Sequence, residues 1–133
     1  MANIGVYLGK AMLDWSLLGA TPTRPANSYV NIGLAAPNST AGSEIATGSG
    51  MTRQTVAFSA AGSPANTAGN SVAMTFGPIL AAGTVLGLQV WDTGPGTVGF
   101  GDMLWYGTLT TSRTMNGGDS LVFGVGALEI GLS

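Results

Sequence analysis

The 133 residues of this chain include no histidine, no cysteine, four basic residues and six acidic residues. Without histidine, the chain lacks the usual proton shuttle at neutral pH and the commonest metal ligand. Without cysteine, it has no disulfide, no thiolate metal site and no thiol nucleophile. The sequence therefore predicts a protein that is not an enzyme, that binds no cofactor or metal, and that acts by packing against something else.

Charged residues make up 8% of the sequence, whereas roughly 25% is typical of a soluble domain. A monomer with so few charges is poorly protected against association. The four cations, Lys10, Arg24, Arg53 and Arg113, are scattered along the chain, although a nucleic-acid-binding surface would cluster them. No run of about 18 apolar residues is present, as a membrane span would require. We therefore expect a subunit of a larger assembly, without a nucleic-acid or membrane partner.

Glycine is abundant, with 22 residues, more than twice the average of roughly 7%. Small and β-favouring residues with few charges indicate short strands joined by turns. Seven segments have strand patterns, at 28–35, 55–60, 71–76, 84–91, 103–109, 120–123 and 127–132. The segment 84–91 is the most apolar and is expected to be central. The sequence predicts an all-β fold, an antiparallel β-sandwich or jelly-roll-like domain over residues 1–133, with a short N-terminal helix within 1–19 and strands over 26–133.

The start of the chain has helical spacing. Leu8, Met12, Trp15 and then Leu18 or Gly19 form one apolar stripe, and Gly19 is expected to end the helix. One interpretation is a helix that covers an end of its own domain. The other is an anchor onto a partner, with Trp15 as the hot spot. We favour the first, because a single apolar stripe usually faces its own core.

Two motifs around residue 94 are suggestive of binding or catalysis. Gly94–Gly99 reads G-x-G-x-x-G, but a dinucleotide site needs a helix to begin at the third glycine, and here another strand pattern follows. Asp92-Thr93-Gly94 resembles half of an aspartic protease site, which a homodimer would complete by pairing two Asp92 carboxylates. An aspartate before glycine at a strand end is also ordinary turn chemistry. We favour a hairpin loop for both motifs and keep the protease as a remote alternative.

Three aromatic residues, Trp91, Trp105 and Tyr106, suggest a sugar-binding platform. Their apolar neighbours favour the opposite interpretation, in which both tryptophans pack in the core. If one aromatic side chain is exposed on a strand face, a host surface glycan becomes a possible partner.

An ordered set of segments resembles a family of small tailed-bacteriophage structural proteins that are often described as tail fibre proteins. The resemblance spans most of the chain, and its segments are Ser28–Leu34, Gly42–Ile45, Thr52–Phe58, Val72–Pro78, Gly83–Val85, Val90–Asp92, Leu104–Leu109, Arg113–Phe123 and Gly126–Ile130. It implies a virion structural subunit that works by packing. Two placements are open. One is a decoration or cement subunit that clamps the major capsid protein, and the other is a tail fibre or tail-tip subunit that contacts other virion proteins. We favour the first, because the chain is small and globular.

Symmetric oligomers are the default for proteins of this kind, so we expect a homotrimer. Five residues are interface candidates: Trp15, Leu18, Glu44, Arg53 and Arg113. Glu44 lies within a long loop at 36–50 that is rich in turn-forming residues, and Arg53 follows this loop. The two charges either pair across the base of the loop or remain separate and solvated.

Overall fold

The structure is a computed structural model, which describes residues 2–23, 25–39, 51–62, 66–94 and 101–131. Within these residues the chain forms one helix and nine strands. In chain order, the elements are β1 (Ala2–Ile4), α1 (Val6–Leu18), β2 (Ser28–Gly33), β3 (Gln54–Val56), β4 (Thr67–Gly69), β5 (Met74–Phe76), β6 (Gly83–Trp91), β7 (Met103–Met115), β8 (Leu121–Phe123) and β9 (Glu129–Gly131).

The largest sheet has five strands in the order β1-β7-β6-β2-β3, and every neighbouring pair is antiparallel. β6 lies in the middle, as its apolar sequence predicts, because a strand with neighbours on both sides is the most shielded from water. β6 and β7 form a long hairpin that runs from the Gly83–Met115 pair to the Trp91–Met103 pair. The antiparallel pairing confirms that the glycine-rich segment after Asp92 connects two strands of a hairpin, although residues 95–100 lie outside the described part of the chain.

Two short ladders, β4–β9 and β5–β8, complete the fold. Their apolar side chains and those of the large sheet form one buried cluster. In this cluster Phe76 of β5 packs edge-on against Phe123 of β8, with ring centroids 6.0 Å apart. The sheet contributes Val30, Ile32 and Val90, which are almost completely buried. The expected class, antiparallel all-β with one N-terminal helix, is confirmed.

A buried amide joins the two ladders. The Asn70 side chain donates hydrogen bonds to the carbonyl oxygens of Val72 at 2.7 Å and Gly124 at 2.9 Å, and it accepts one from the Leu128 N–H at 2.9 Å. All three partners of the Asn70 side chain are backbone groups that lie outside the strands. Asn70 therefore provides hydrogen bonds that these groups do not obtain from a β-sheet.

The strand bounds differ from the sequence prediction in three ways. Strands β2, β3, β5 and β9 are shorter than the predicted segments at 28–35, 55–60, 71–76 and 127–132. β7 continues to Met115, and the three-residue strands β1 and β4 were not predicted. Three residues are too few to display an alternating pattern, and the second half of β7 is rich in threonine rather than apolar.

Both ends of α1 are set by glycines. At its start, Gly5 donates its N–H to the Leu104 carbonyl at 2.8 Å, and a Cβ there would lie 2.0 Å from the Met103 carbonyl oxygen. Only glycine lets the chain pass β7 this closely. At its end, Gly19 has φ +69°, and the N–H groups of Gly19 and Ala20 return to the carbonyls of Trp15 and Asp14. This left-handed cap confirms Gly19 as the end of the helix.

Candidate interaction surfaces

Within the described residues, the packing of helix α1 on the domain centres on the first half of the helix. Leu8 packs against the core cluster, Met12 is half-buried, and α1 contacts β7. No residue of the helix is fully buried. The first two members of the predicted apolar stripe therefore do cover the domain.

The second half of α1 carries large apolar side chains in water. Exposed fractions are 60% for Leu13, 59% for Trp15, 76% for Leu17 and 78% for Leu18. The prediction that the stripe faces its own core is thus wrong for Trp15 and Leu18, because the helix continues past the part that the domain covers. Large apolar side chains that are exposed together at one end of a helix are typical of an interaction site.

Polar side chains are buried on the face of the large sheet that bears Gln89. Asn31 of β2, Gln89 of β6 and Tyr106 of β7 are direct cross-strand partners, so their side chains share one face. Asn31 and Gln89 are buried, as are Arg53 and Trp91. We call Asn31, Arg53, Gln89 and Trp91 the buried polar cluster.

Arg53 is held inside this cluster. Its guanidinium carbon lies 4.1 Å from the centre of the Trp91 ring, and its Nη1 donates to the Thr93 carbonyl at 2.8 Å. Only 3% of the residue is exposed, so it is not one of two solvated charges. The arginine stabilises the end of the β6–β7 hairpin from within the fold. Its expected partner Glu44 lies outside the described residues, and their pairing stays a prediction.

Gln89 uses only one of the two polar atoms of its side-chain amide within the buried polar cluster. Its Oε1 accepts a hydrogen bond from Trp91 Nε1 at 3.2 Å, while its Nε2 is buried and has no hydrogen-bond partner among the described residues. Unpaired buried donors are uncommon, since each one costs desolvation energy. Trp91 is buried and donates its indole N–H to Gln89, so it is an internal residue. The sugar platform that the sequence suggested does not include it.

Asp92 acts as a local turn residue. Its Oδ1 accepts hydrogen bonds from the Asp102 N–H at 2.7 Å and from Thr93 Oγ1 at 2.8 Å. The Asp92 N–H in turn donates to the Asp102 carbonyl at 3.2 Å. These contacts close the base of the hairpin and account for the D-T-G sequence without a catalytic role.

A groove lies beside the β6–β7 hairpin, in the half nearer the Trp91–Met103 pair. It has a volume of about 370 Å³, and it is lined by Trp105, Tyr106, Thr108, Thr110 and Glu129 together with apolar residues of β6 to β9. A second, more apolar groove of about 240 Å³ adjoins it at Trp105 and Ile130. Trp105 is half-buried and lines both, so it combines the core and surface roles that the sequence presented as alternatives.

The last interface candidate, Arg113, lies on β7 opposite Val85 and is exposed. β1 pairs with β7 only at residues 105–107. Beyond Gly107, β7 therefore has β6 on one side and no strand of the described residues on the other. Arg113 places a positive charge near this open edge, a position that discourages edge-to-edge pairing.

Two further kinds of site are absent from the described residues. No group of three or more acidic side chains there is placed to hold a metal ion. Among the same residues, no helix has the length and apolar character needed to cross a bilayer.

Comparison with known families decides the identity. The model of the podophage GP4 fiber I protein gp80 family matches residues 3–131 of this chain. The chain belongs to this family. No curated protein matches the sequence.

Membership of the podophage fibre family makes the chain a structural protein of the phage virion and not an enzyme. This agrees with the exposed apolar helix, with the structural role of Asp92 and with the resemblance found in the sequence. The family supports the fibre alternative better than the capsid-cement interpretation that we favoured from the small size of the chain. A fibre protein associates with other proteins of the virion tail.

Two features of these surfaces escaped the sequence analysis. Gln89 and Asn31 were not singled out, because a polar residue inside an apolar strand does not reveal which face of the sheet is covered. The other is a second apolar stripe on α1, formed by Val6, Leu13 and Leu17. Its i, i+7, i+11 spacing is visible in the sequence. The stripe through Leu8 and Met12 gives the stronger helical pattern, because it has no charged residue at the i+4 position and continues to Trp15.

Proposed function

We propose that this chain is a non-enzymatic subunit of a podophage tail fibre, assembled as a homotrimer and attached to other virion proteins by apolar packing. The observation that carries the proposal is the exposed second half of α1. Trp15 and Leu18 lie on the side of the helix that continues the Leu8–Met12 stripe, beyond the cover of the domain. A tryptophan in such a position is the usual centre of a protein–protein contact.

Location on the particle tests the fibre role. Antibodies raised against the purified chain, bound to intact phage and imaged by electron microscopy, are expected to label the tail. An antibody to the major capsid protein serves as the control and marks the shell. Regular labelling of the shell by the first antibody would instead establish the decoration role on the capsid.

Incorporation into particles tests the attachment surface. The double substitution Trp15→Ser with Leu18→Ser is expected to reduce the amount of the chain in purified virions, while the isolated protein still folds. The matched control is Val125→Ser, because Val125 is 69% exposed on a turn far from α1 in the sequence. Equal incorporation of both variants would remove α1 from the attachment surface.

A second candidate function, binding of a host surface glycan, is favoured by the groove at Trp105. Its volume of about 370 Å³ falls at the lower end of the roughly 300–1,000 Å³ that is common for small-molecule sites. The Trp105 ring offers a surface for stacking, and polar residues of β7 and β9 that line the same groove offer hydrogen bonds. Binding of the chain to host polysaccharide should then be weakened by Trp105→Phe and unaffected by Trp15→Phe. Equal binding by the two variants would eliminate the groove.

A further inference from the structure

The side of α1 that faces away from the domain carries the second apolar stripe. Val6, Leu13 and Leu17 are exposed, and the long side chain of Lys10 lies between them on the same side of the helix. We call these four residues the outward stripe. At 100° per residue they fall within an arc of about 60°, roughly opposite Leu8 and Met12.

The spacing of the outward stripe is that of a helix-to-helix seam. Positions 6, 10, 13 and 17 are separated by four, three and four residues. This alternation reproduces the a and d positions of a heptad, at which one helix packs against another. A helix that is apolar on two opposite sides is expected to be covered on both. The domain covers one side of α1, and another helix fits the spacing of the other.

Charge on α1 permits self-association. Lys10 and Asp14 form an ion pair within the helix, so the helix has no net charge from its side chains. Two copies therefore do not repel each other strongly. A single lysine at an a position lowers the stability of a seam and helps to set the number of helices in it.

The exposed area is sufficient for a contact between copies. The four residues of the outward stripe are largely exposed and together offer on the order of 500 Å² per copy, so two copies that cover each other's stripes bury about the 1,000 Å² expected of a biological interface. A single α1 of 13 residues would be marginal as a free helix, but its first half is already held by β7.

We propose that α1 packs against α1 of a second copy of this chain, through Val6, Leu13 and Leu17. The inference rests on the proposed function, since it assigns the surface that forms the homo-oligomer of the fibre subunit. It leaves Trp15 and Leu18, which continue the Leu8–Met12 stripe on the other side of the helix, available to other virion proteins.

Cross-linking provides the direct test. The chain contains no cysteine, so a single introduced cysteine is the sole site of disulfide formation. Leu13 lies near the middle of the helix, where it meets its equivalent whether the helices are parallel or antiparallel. Under mild oxidation, Leu13→Cys is expected to form a covalent dimer at micromolar concentration. Leu80→Cys is the matched control, because Leu80 is exposed to a similar extent on a loop. Equal cross-linking of the two variants overturns the proposal.

The strength of association gives a second test with a predicted sign. Leu13→Lys is expected to raise the dissociation constant measured by analytical ultracentrifugation by about thirtyfold or more, as loss of an interface hot spot does. Lys10→Leu should lower it, because it replaces the charge in the seam, whereas Thr52→Leu places a leucine at another exposed position, outside α1 and outside every strand, and should change nothing. A decrease with both of the leucine variants would indicate nonspecific stickiness and would overturn the assignment.

Failure of this inference is distinguishable from failure of the proposed function. A wild-type chain that is monomeric at all concentrations overturns the seam and makes another virion protein the occupant of the outward stripe. Labelling of the tail by antibodies would still hold in that case. Labelling of the shell, with intact cross-linking through Leu13, would instead overturn the fibre role and retain the seam.

Discussion

Helix α1 and the buried polar cluster depart from the usual distribution of polarity in opposite directions. The helix leaves leucine and tryptophan side chains in water, whereas the sheet encloses an arginine, an asparagine and a glutamine. The cluster has its principal contacts within the chain, through the ring of Trp91 and the carbonyl of Thr93. In the part of the chain that the structure describes, the domain packs against one side of the helix, and large apolar side chains on the other side are exposed. Buried side chains whose contacts lie within the same chain maintain the fold. Apolar side chains that the domain leaves exposed are available for contacts in an assembly.

Arg53→Ala should show the greatest loss of stability. The substitution removes the stack on Trp91 and the hydrogen bond to Thr93, and it leaves a cavity, so the free energy of unfolding should fall by about 3 kcal/mol. Urea denaturation measures the change. Arg53→Lys, which keeps the charge but not the planar group, should lose roughly half as much. If Arg53→Ala unfolds like the wild type, the cluster does not support the fold.

Asp92→Asn should have a moderate effect, because Asp92 lies at the margin of the cluster. The amide oxygen can still accept from the Asp102 N–H, but the bond loses the assistance of the charge, and stability should fall by about 1 kcal/mol. Thermal unfolding and phage titre are the measurements, and titre should be unchanged. Loss of a proteolytic activity in this variant would revive the aspartic protease hypothesis.

Gln89→Met should be close to neutral, within about 1 kcal/mol. The substitution removes the acceptor for Trp91 Nε1, which is unfavourable, and it removes the unpaired Nε2, which is favourable. The two effects oppose each other in a side chain of similar size. A loss of several kcal/mol in urea denaturation would contradict the compensation.

Leu17→Lys should have the least effect on the fold, below about 0.5 kcal/mol, since exposed substitutions seldom change stability. Denaturation is measured at a concentration low enough to dissociate any oligomer. The comparison with Arg53→Ala then separates fold from assembly, because Leu17→Lys should weaken association while it leaves unfolding unchanged. A large loss of stability in the dissociated chain would mean that Leu17 packs within its own domain.

The sequence predicts the class of this fold well and its surfaces less well. Alternation and apolar runs locate the central strand β6 and its partners β2 and β7, because these strands are long enough to show a period. The ladders β4–β9 and β5–β8 depend on Asn70, whose hydrogen bonds join residues more than 50 positions apart. Nothing local in the sequence encodes such distant partners.

The same limit applies to the candidate sites. The sequence identifies Trp15 and Leu18 as members of an apolar stripe, but the length of helix that the domain covers is a property of the tertiary structure. Arg53 looks like a surface charge until the Trp91 ring is placed beneath it. The fibre family was within reach of the sequence because the order of many short segments carries more information than any one of them.

The attachment of α1 to the sheet has a mechanical consequence. The helix joins the domain at its first residues, through Gly5 and the three-residue strand β1 that pairs with β7, and its far end is uncovered. A pull on that far end acts on a lever about 20 Å long, given a rise of 1.5 Å for each helical residue. Part of the load passes along the chain from Gly19 to β2, and the rest reaches the domain at β1 and at the Leu8 contact, which are small attachments. Under tension, this joint should yield before the long β6–β7 hairpin is disturbed, so the subunit would lengthen at a hinge while its core stays intact.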